Sequence, residues 1–124
     1  LEQHRQRPGR DVIDTLAGLG GYEIVGLVGA MLGAARARLP VLLDTFATHV
    51  AALAASRLCP KVLDYVFLTH RAVEPGDHLI QPLLGGPGLF DLDISLGEGC
   101  CAALGMHLAE AALGLMAEMR PGLR

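Results

Sequence analysis

The sequence predicts an α/β fold in which a parallel sheet is flanked by helices. Three observations predict it. Two short apolar runs, Val41-Leu42-Leu43 and residues 64–69, are bounded by breakers and are short enough for buried strands. Helical stretches rich in Ala and Leu alternate with them through short links, as in a layered βαβ arrangement. Polar residues follow each run directly, Asp44 after the first and His70 after the second. In open α/β sheets that carboxyl edge is where ligands bind.

Each element has a local reason. Residues 11–19 read as a short helix, with Asp11 as cap, Val12, Ile13 and Leu16 apolar, and Gly18 and Gly20 as stops. Gly20-Gly21 is a turn. Residues 22–39 read as a helix with almost no polar face, whose Gly and Ala positions allow close approach to another layer, and Pro40 ends it. Residues 41–43 form a strand buried on both faces. Residues 45–58 are helical with an Ala-rich face, and Cys59-Pro60 breaks them. The second strand runs over 64–69, and Glu74-Pro75-Gly76 turns into a helix over 77–84. Gly85-Gly86-Pro87-Gly88 is a loop, residues 89–96 are irregular with room for one short strand, and 98–119 form the last helix. Residues 1–10 read as a linker or lead-in and 11–124 as one α/β domain. Two or three strands cannot cover this many apolar helices, so the chain reads as part of a larger sheet or as one that needs a partner.

Composition narrows the function classes. At 124 residues the chain can bury a core without disulfides. Hydrophobic residues are 52% of it but aromatics only 4%, which disfavours stacking platforms for single-stranded nucleic acid. The net charge of −3 gives a phosphate backbone nothing to bind, and no nucleic-acid partner is expected. The one basic cluster, His4, Arg5, Arg7 and Arg10, reads as a solvated lead-in. Cys59, Cys100 and Cys101 form no C-x-x-C pair and read as reduced thiols in a cytoplasmic setting. Cys59 is expected in the core. Cys100 and Cys101 pack, or react because a helix start lowers thiol pKa. No signal peptide is visible, and the apolar run over 22–35 is shorter than the ~20 residues of a span, so no membrane association is expected. Gly29-x-x-x-Gly33 would suit a membrane dimer, but in a soluble chain it reads as letting a helix sit close on a sheet.

Most familiar site motifs fail. Gly18-x-Gly20-x-x-Glu23 has Glu where a dinucleotide fingerprint needs its third Gly, and no strand precedes it. His49, His70, His78 and His107 lack metal-ligand spacing, so no metal and no cofactor are expected. His49 and His107 read as surface or packing residues. The sharp signal is Leu96-Gly97-Glu98-Gly99, one carboxylate between two glycines at a helix start. Such a Glu is either a helix N-terminal charge or a general base.

Several blocks in order carry a family resemblance. They are Gly20-Gly21-x-Glu23-Ile24, the run from Val28 through Gly29-Ala30-Met31-Leu32-Gly33 to Arg36, Leu39-Pro40-Val41-Leu42-Leu43-Asp44, His70-Arg71 with Glu74-Pro75-Gly76, and Leu96-Gly97-Glu98-Gly99. Together, over about residues 16–119, the chain resembles the nicotinate-nucleotide–dimethylbenzimidazole phosphoribosyltransferases of cobalamin lower-ligand assembly. The resemblance implies the C-terminal part of a larger Rossmann-like phosphoribosyltransferase fold. It implies nicotinate mononucleotide and 5,6-dimethylbenzimidazole as substrates, and a homodimer or a partner segment completing the fold. It makes Glu98 the catalytic base that takes the azole proton. Gly20, Gly21, Asp44, His70, Leu96 and Gly97 become substrate-binding residues.

The chain departs from the family pattern at three points. Asp44-Thr45-Phe46 stands for Asp-Gly-Phe, and His70-Arg71-Ala72-Val73-Glu74 for His-x-Ser-x-Glu, both where the family binds ribose phosphate. Cys101 stands for a Gly at the helix start. The family's N-terminal portion, with its phosphate-binding glycines, has no counterpart here. Three functions follow as alternatives: an enzyme piece with a retained base, a non-catalytic descendant that binds the azole, a nucleotide or a protein, and a structural helical module.

Overall fold

The structure is a computed structural model that describes residues 11–92 and 99–119. The sheet is a parallel pair, β1 (Val41–Leu43) and β2 (Val66–Leu68), with Leu42 opposite Phe67 and Leu43 opposite Leu68. Four helical elements precede β2: α1 (Val12–Leu19), α2 (Gly21–Arg36), α3 (Phe46–Leu58) and a 3-10 helix, Pro60–Tyr65. A short α4 (Asp77–Ile80) runs on into a second 3-10 turn, Gln81–Leu84, and α5 (Cys100–Met119) closes the described chain. The α/β class holds, with helix dominating a small parallel sheet.

The element ends follow from capping chemistry. Asp11 accepts from Asp14 N at 2.8 Å and starts α1. Thr45 and Thr48 form a reciprocal capping box that starts α3. Helix α2 stops earlier than Pro40 requires. Arg38 adopts φ 59°, Leu39 N donates to Ala34 O and Arg38 N to Ala35 O, the paired bonds of a Schellman turn. Pro60 opens a 3-10 helix, so Asp64 and Tyr65 belong to it and β2 is shorter than the 64–69 run expected. Pro82 likewise divides the helix expected over 77–84. Within the irregular segment, Phe90 N donates to Thr69 O at 2.8 Å and pairs residue 90 with residue 70 in a parallel bridge.

The core lies on one face of the sheet. Leu43, Val66 and Leu68 pack there with Val28 and Met31 of α2, Ala51, Ala52 and Ala55 of α3, and Val62. The three alanines are fully buried, which lets α2 and α3 lie close. The other face is different. Leu42 and Phe67 point toward α5 across a groove, and Phe67 is 47% exposed, so the strands are not buried on both faces. The glycines of α2 also differ from expectation: a Cβ at Gly26, Gly29 or Gly33 would meet nothing within 4 Å, so this stripe faces open space. Of α5 only Cys101 and Gly105 are buried, although the helix is long and apolar enough, with mean hydropathy 1.5, to cross a membrane by length and composition.

Candidate functional site at the carboxyl edge of the sheet

The carboxyl ends of β1 and β2 bring together three loops. Asp44 follows β1, Thr69 and His70 follow β2, and Gly99 opens α5. Thr69 N and Oγ1 both donate to Leu43 O, at 2.9 and 2.5 Å, and this locks the two strand ends together. The side chain of Thr69 then meets α5 at Gly105. A Cβ at Gly105 would stand 2.5 Å from Thr69 Cγ2 and 3.3 Å from Leu42 Cδ2, so only glycine lets the helix come this close.

Asp44 ties the start of α5 to this edge. Its Oδ2 accepts from Gly99 N at 2.7 Å. Gly99 has φ 88°, and its carbonyl accepts from Ala103 N at 2.8 Å, the first bond of the helix. A carboxylate at this position also complements the positive end of the helix dipole. The same carboxylate reaches Cys101. Burial first, then Asp44 and Cys100, push the Cys101 thiol above the ordinary cysteine range. Burial and the neighbouring anion thus push Cys101 away from the activated thiolate. Cys59, expected in the core, is exposed because it sits at the end of α3 where the chain leaves the helix for Pro60.

His70 is buried, and its Nε2 accepts from Leu92 N at 3.3 Å. That acceptor role requires Nε2 to be unprotonated. Arg71 continues the tie: its N donates to Phe90 O at 3.3 Å, and its side chain pairs with Asp91 in an exposed contact at 3.1 Å. His70 thus anchors the segment that leads toward Leu96, Gly97 and Glu98. Those three residues lie outside the described residues.

Gly20 and Gly21 stand elsewhere. Gly21 has φ 64° and starts α2. Gly20 lines an apolar depression of about 320 Å³ with Leu16, Ile24, Val50, Leu53 and Arg57, between α1, α2 and the middle of α3. The structure brings Asp44 and His70 to one edge and places Gly20 against the flank of α3.

Sequence reasoning missed a buried network behind the edge. Asp77, 1% exposed, accepts from His49 Nδ1 at 2.5 Å, from Ala72 N at 3.0 Å and from Gln81 Nε2 at 2.5 Å. His49 is fully buried in α3, so its packing reading holds and its surface reading fails; His107 is exposed. The sequence held only part of the signal, Asp77 directly after Pro75-Gly76 as a polar residue at a helix start.

A sequence profile described as phosphoribosyltransferase matches residues 1–122. The chain is 44% identical over 110 residues to the nicotinate-nucleotide–dimethylbenzimidazole phosphoribosyltransferase of Dehalococcoides mccartyi, covering 89% of this chain and 31% of that protein. It is 47% identical over 119 residues to the protein of the same name from Roseiflexus, covering 96% and 33%. The crystal structure of the protein of that name from Thermus thermophilus superimposes with a TM-score of 0.82 at 38% identity, over 88% of this chain and 33% of that one. The chain thus spans about a third of the length of the relatives it matches. It belongs to the phosphoribosyltransferase family that includes the nicotinate-nucleotide–dimethylbenzimidazole enzymes.

Proposed function

We propose that this chain supplies the base-bearing third of a nicotinate-nucleotide–dimethylbenzimidazole phosphoribosyltransferase. In that reaction an azole nitrogen attacks the anomeric carbon of nicotinate mononucleotide. The bond from that carbon to nicotinate breaks, and nicotinate leaves. Glu98 takes the proton from the other azole nitrogen, giving α-ribazole phosphate. The displacement has oxocarbenium character, which a nearby carboxylate also stabilises.

The observation that carries this reading is the bond from Gly99 N to Asp44 Oδ2. It ties Gly99, the described residue that follows Glu98 in the sequence, to the carboxyl edge of the sheet, which supports Glu98 as the residue to test. Family membership supports the substrate pair. On this reading residues 11–124 are the C-terminal part of the fold and 1–10 its lead-in. The uncovered groove beside α5 then takes the rest of the fold or a second subunit. The setting is cytoplasmic, without nucleic acid, membrane or cofactor.

A second reading has an observation of its own. Thr45 Oγ1 is committed to the capping box of α3, and Ala72 brings no hydroxyl. Both stand where the family binds ribose phosphate, which favours a descendant that binds the azole without turnover.

Titration of the chain with 5,6-dimethylbenzimidazole and with nicotinate mononucleotide separates the two, followed by an assay of nicotinate release with the rest of the fold supplied. The first reading expects release that Glu98→Gln abolishes while the circular dichroism stays unchanged. Release that survives Glu98→Gln sinks the base assignment. Azole binding without release selects the second reading.

A further inference from the structure

The buried network around Asp77 has no part in the chemistry above, yet it grips the loop that begins at His70. Three elements meet on one carboxylate. His49 comes from α3, 28 residues away, Gln81 from the 3-10 turn after α4, and Ala72 N from the loop itself. The loop has little else to hold its middle: Val73, Glu74 and Pro75 are exposed, and Asp77 N closes it by donating to Glu74 O at 2.9 Å. Its beginning is fixed by the bridge between residues 70 and 90, and its end by α4. Asp77 pins the point between them.

We infer that Asp77, oriented by His49 and Gln81, is a positioning residue that fixes the backbone of residues 70–76 for the nucleotide. The inference rests on the reading above, in which this loop lies against ribose phosphate. A carboxylate accepts only, so His49 donates from Nδ1, and its tautomer is set by Asp77. His49 Nε2 is buried and meets no hydrogen-bond partner among the described residues. The imidazole is therefore held through one nitrogen, and Asp77 is what aims it. Gln81 must present its amide nitrogen to the same carboxylate, so neither neighbour can turn without releasing a buried donor. With Ala72 where the family carries a hydroxyl, the loop depends on its backbone placement for any grip on a phosphate.

The test uses the chain labelled with nitrogen-15. The wild type should show a slowly exchanging Ala72 amide and a His49 ring in the Nδ1–H tautomer. Asp77→Ala should speed Ala72 exchange, scramble the His49 tautomer, and weaken nicotinate mononucleotide binding about tenfold or more at unchanged dimethylbenzimidazole affinity. If Asp77→Ala unfolds, a second pair decides. His49→Leu removes the donor and should weaken nucleotide binding alone, while His49→Asn, whose amide nitrogen can replace Nδ1–H, should restore most of it. Unchanged Ala72 exchange, or equal nucleotide affinity in His49→Leu and wild type, overturns the inference. The binding arms are run with the rest of the fold supplied, and a wild type that then binds no nucleotide overturns the functional reading instead, and the positioning role with it.

Discussion

The two faces of the sheet obey different rules. On one face Leu43, Val66 and Leu68 pack against α2 and α3, and the alanines of α3 are fully buried. On the other, α5 meets the sheet at Gly105, buries Cys101, and leaves Leu104, Met106, Leu113 and Met116 more than 40% exposed. Composition does not separate them, since both helices are rich in Ala and Leu. What separates them is whether the described residues supply a partner layer. An exposed apolar surface of this extent is the kind that a further layer or partner covers.

The largest contrast comes from truncating a leucine on each face. Leu43→Ala opens a cavity in the closed core and should cost about 2–5 kcal/mol, read as a shifted denaturant midpoint. Leu113→Ala on α5 removes a side chain that is 66% exposed and should stay within about 0.5 kcal/mol. A comparable loss at both positions would mean that α5 is covered in solution, and light scattering would then show an oligomer.

Two glycines of α5 sharpen the same comparison along one helix. Gly105→Ala forces a Cβ against Thr69 Cγ2, and Thr69 cannot turn away because its hydroxyl is bound to Leu43 O. Overpacking of this kind costs about 1–3 kcal/mol. It should also loosen the Asp44 bond to Gly99, seen as faster exchange of the Gly99 amide. Gly114 meets nothing within 4 Å of an added Cβ, so Gly114→Ala should raise stability by up to about 1 kcal/mol through helix propensity. Equal effects at the two sites would place the seat of α5 elsewhere than Thr69.

These contrasts also show what was legible in the sequence. The element order was, because breakers and caps are local: Pro60 and Asp11 each act within a few residues, although Pro82 dividing the expected helix was not read. The carboxyl edge was legible too, since Asp44 and His70 directly follow their strands. Burial of particular faces was not. The run Val41-Leu42-Leu43 reads the same whether Leu42 meets a full layer or a groove. The stripe of Gly26, Gly29 and Gly33 signals closeness without saying to what. The Asp77 network was hidden because its longest bond spans 28 residues, and no periodicity reports a contact at that distance.

The smallest effect concerns the cysteines, where the two faces meet at the start of α5. Cys59 and Cys100 are exposed and Cys101 is buried, so a thiol reagent at neutral pH should modify the first two and spare the third until the chain unfolds. The pH dependence has a definite sign. The folded state holds the Cys101 proton above the ordinary cysteine pKa of about 8.5, while the unfolded chain releases it there. Below that pH both states are protonated and nothing changes. As pH rises from the unfolded value toward the folded one, the unfolded state loses its proton first, and stability falls. Cys101→Ala should flatten that decline, measured as the midpoint of urea unfolding between neutral and alkaline pH. The other two cysteines remain in both proteins, so the difference between the two profiles reports Cys101 together with its coupling to Cys100. An identical decline in Cys101→Ala would mean that Asp44 and burial do not act on this thiol, and that the end of α5 stands further from the sheet than the Asp44 bond to Gly99 requires.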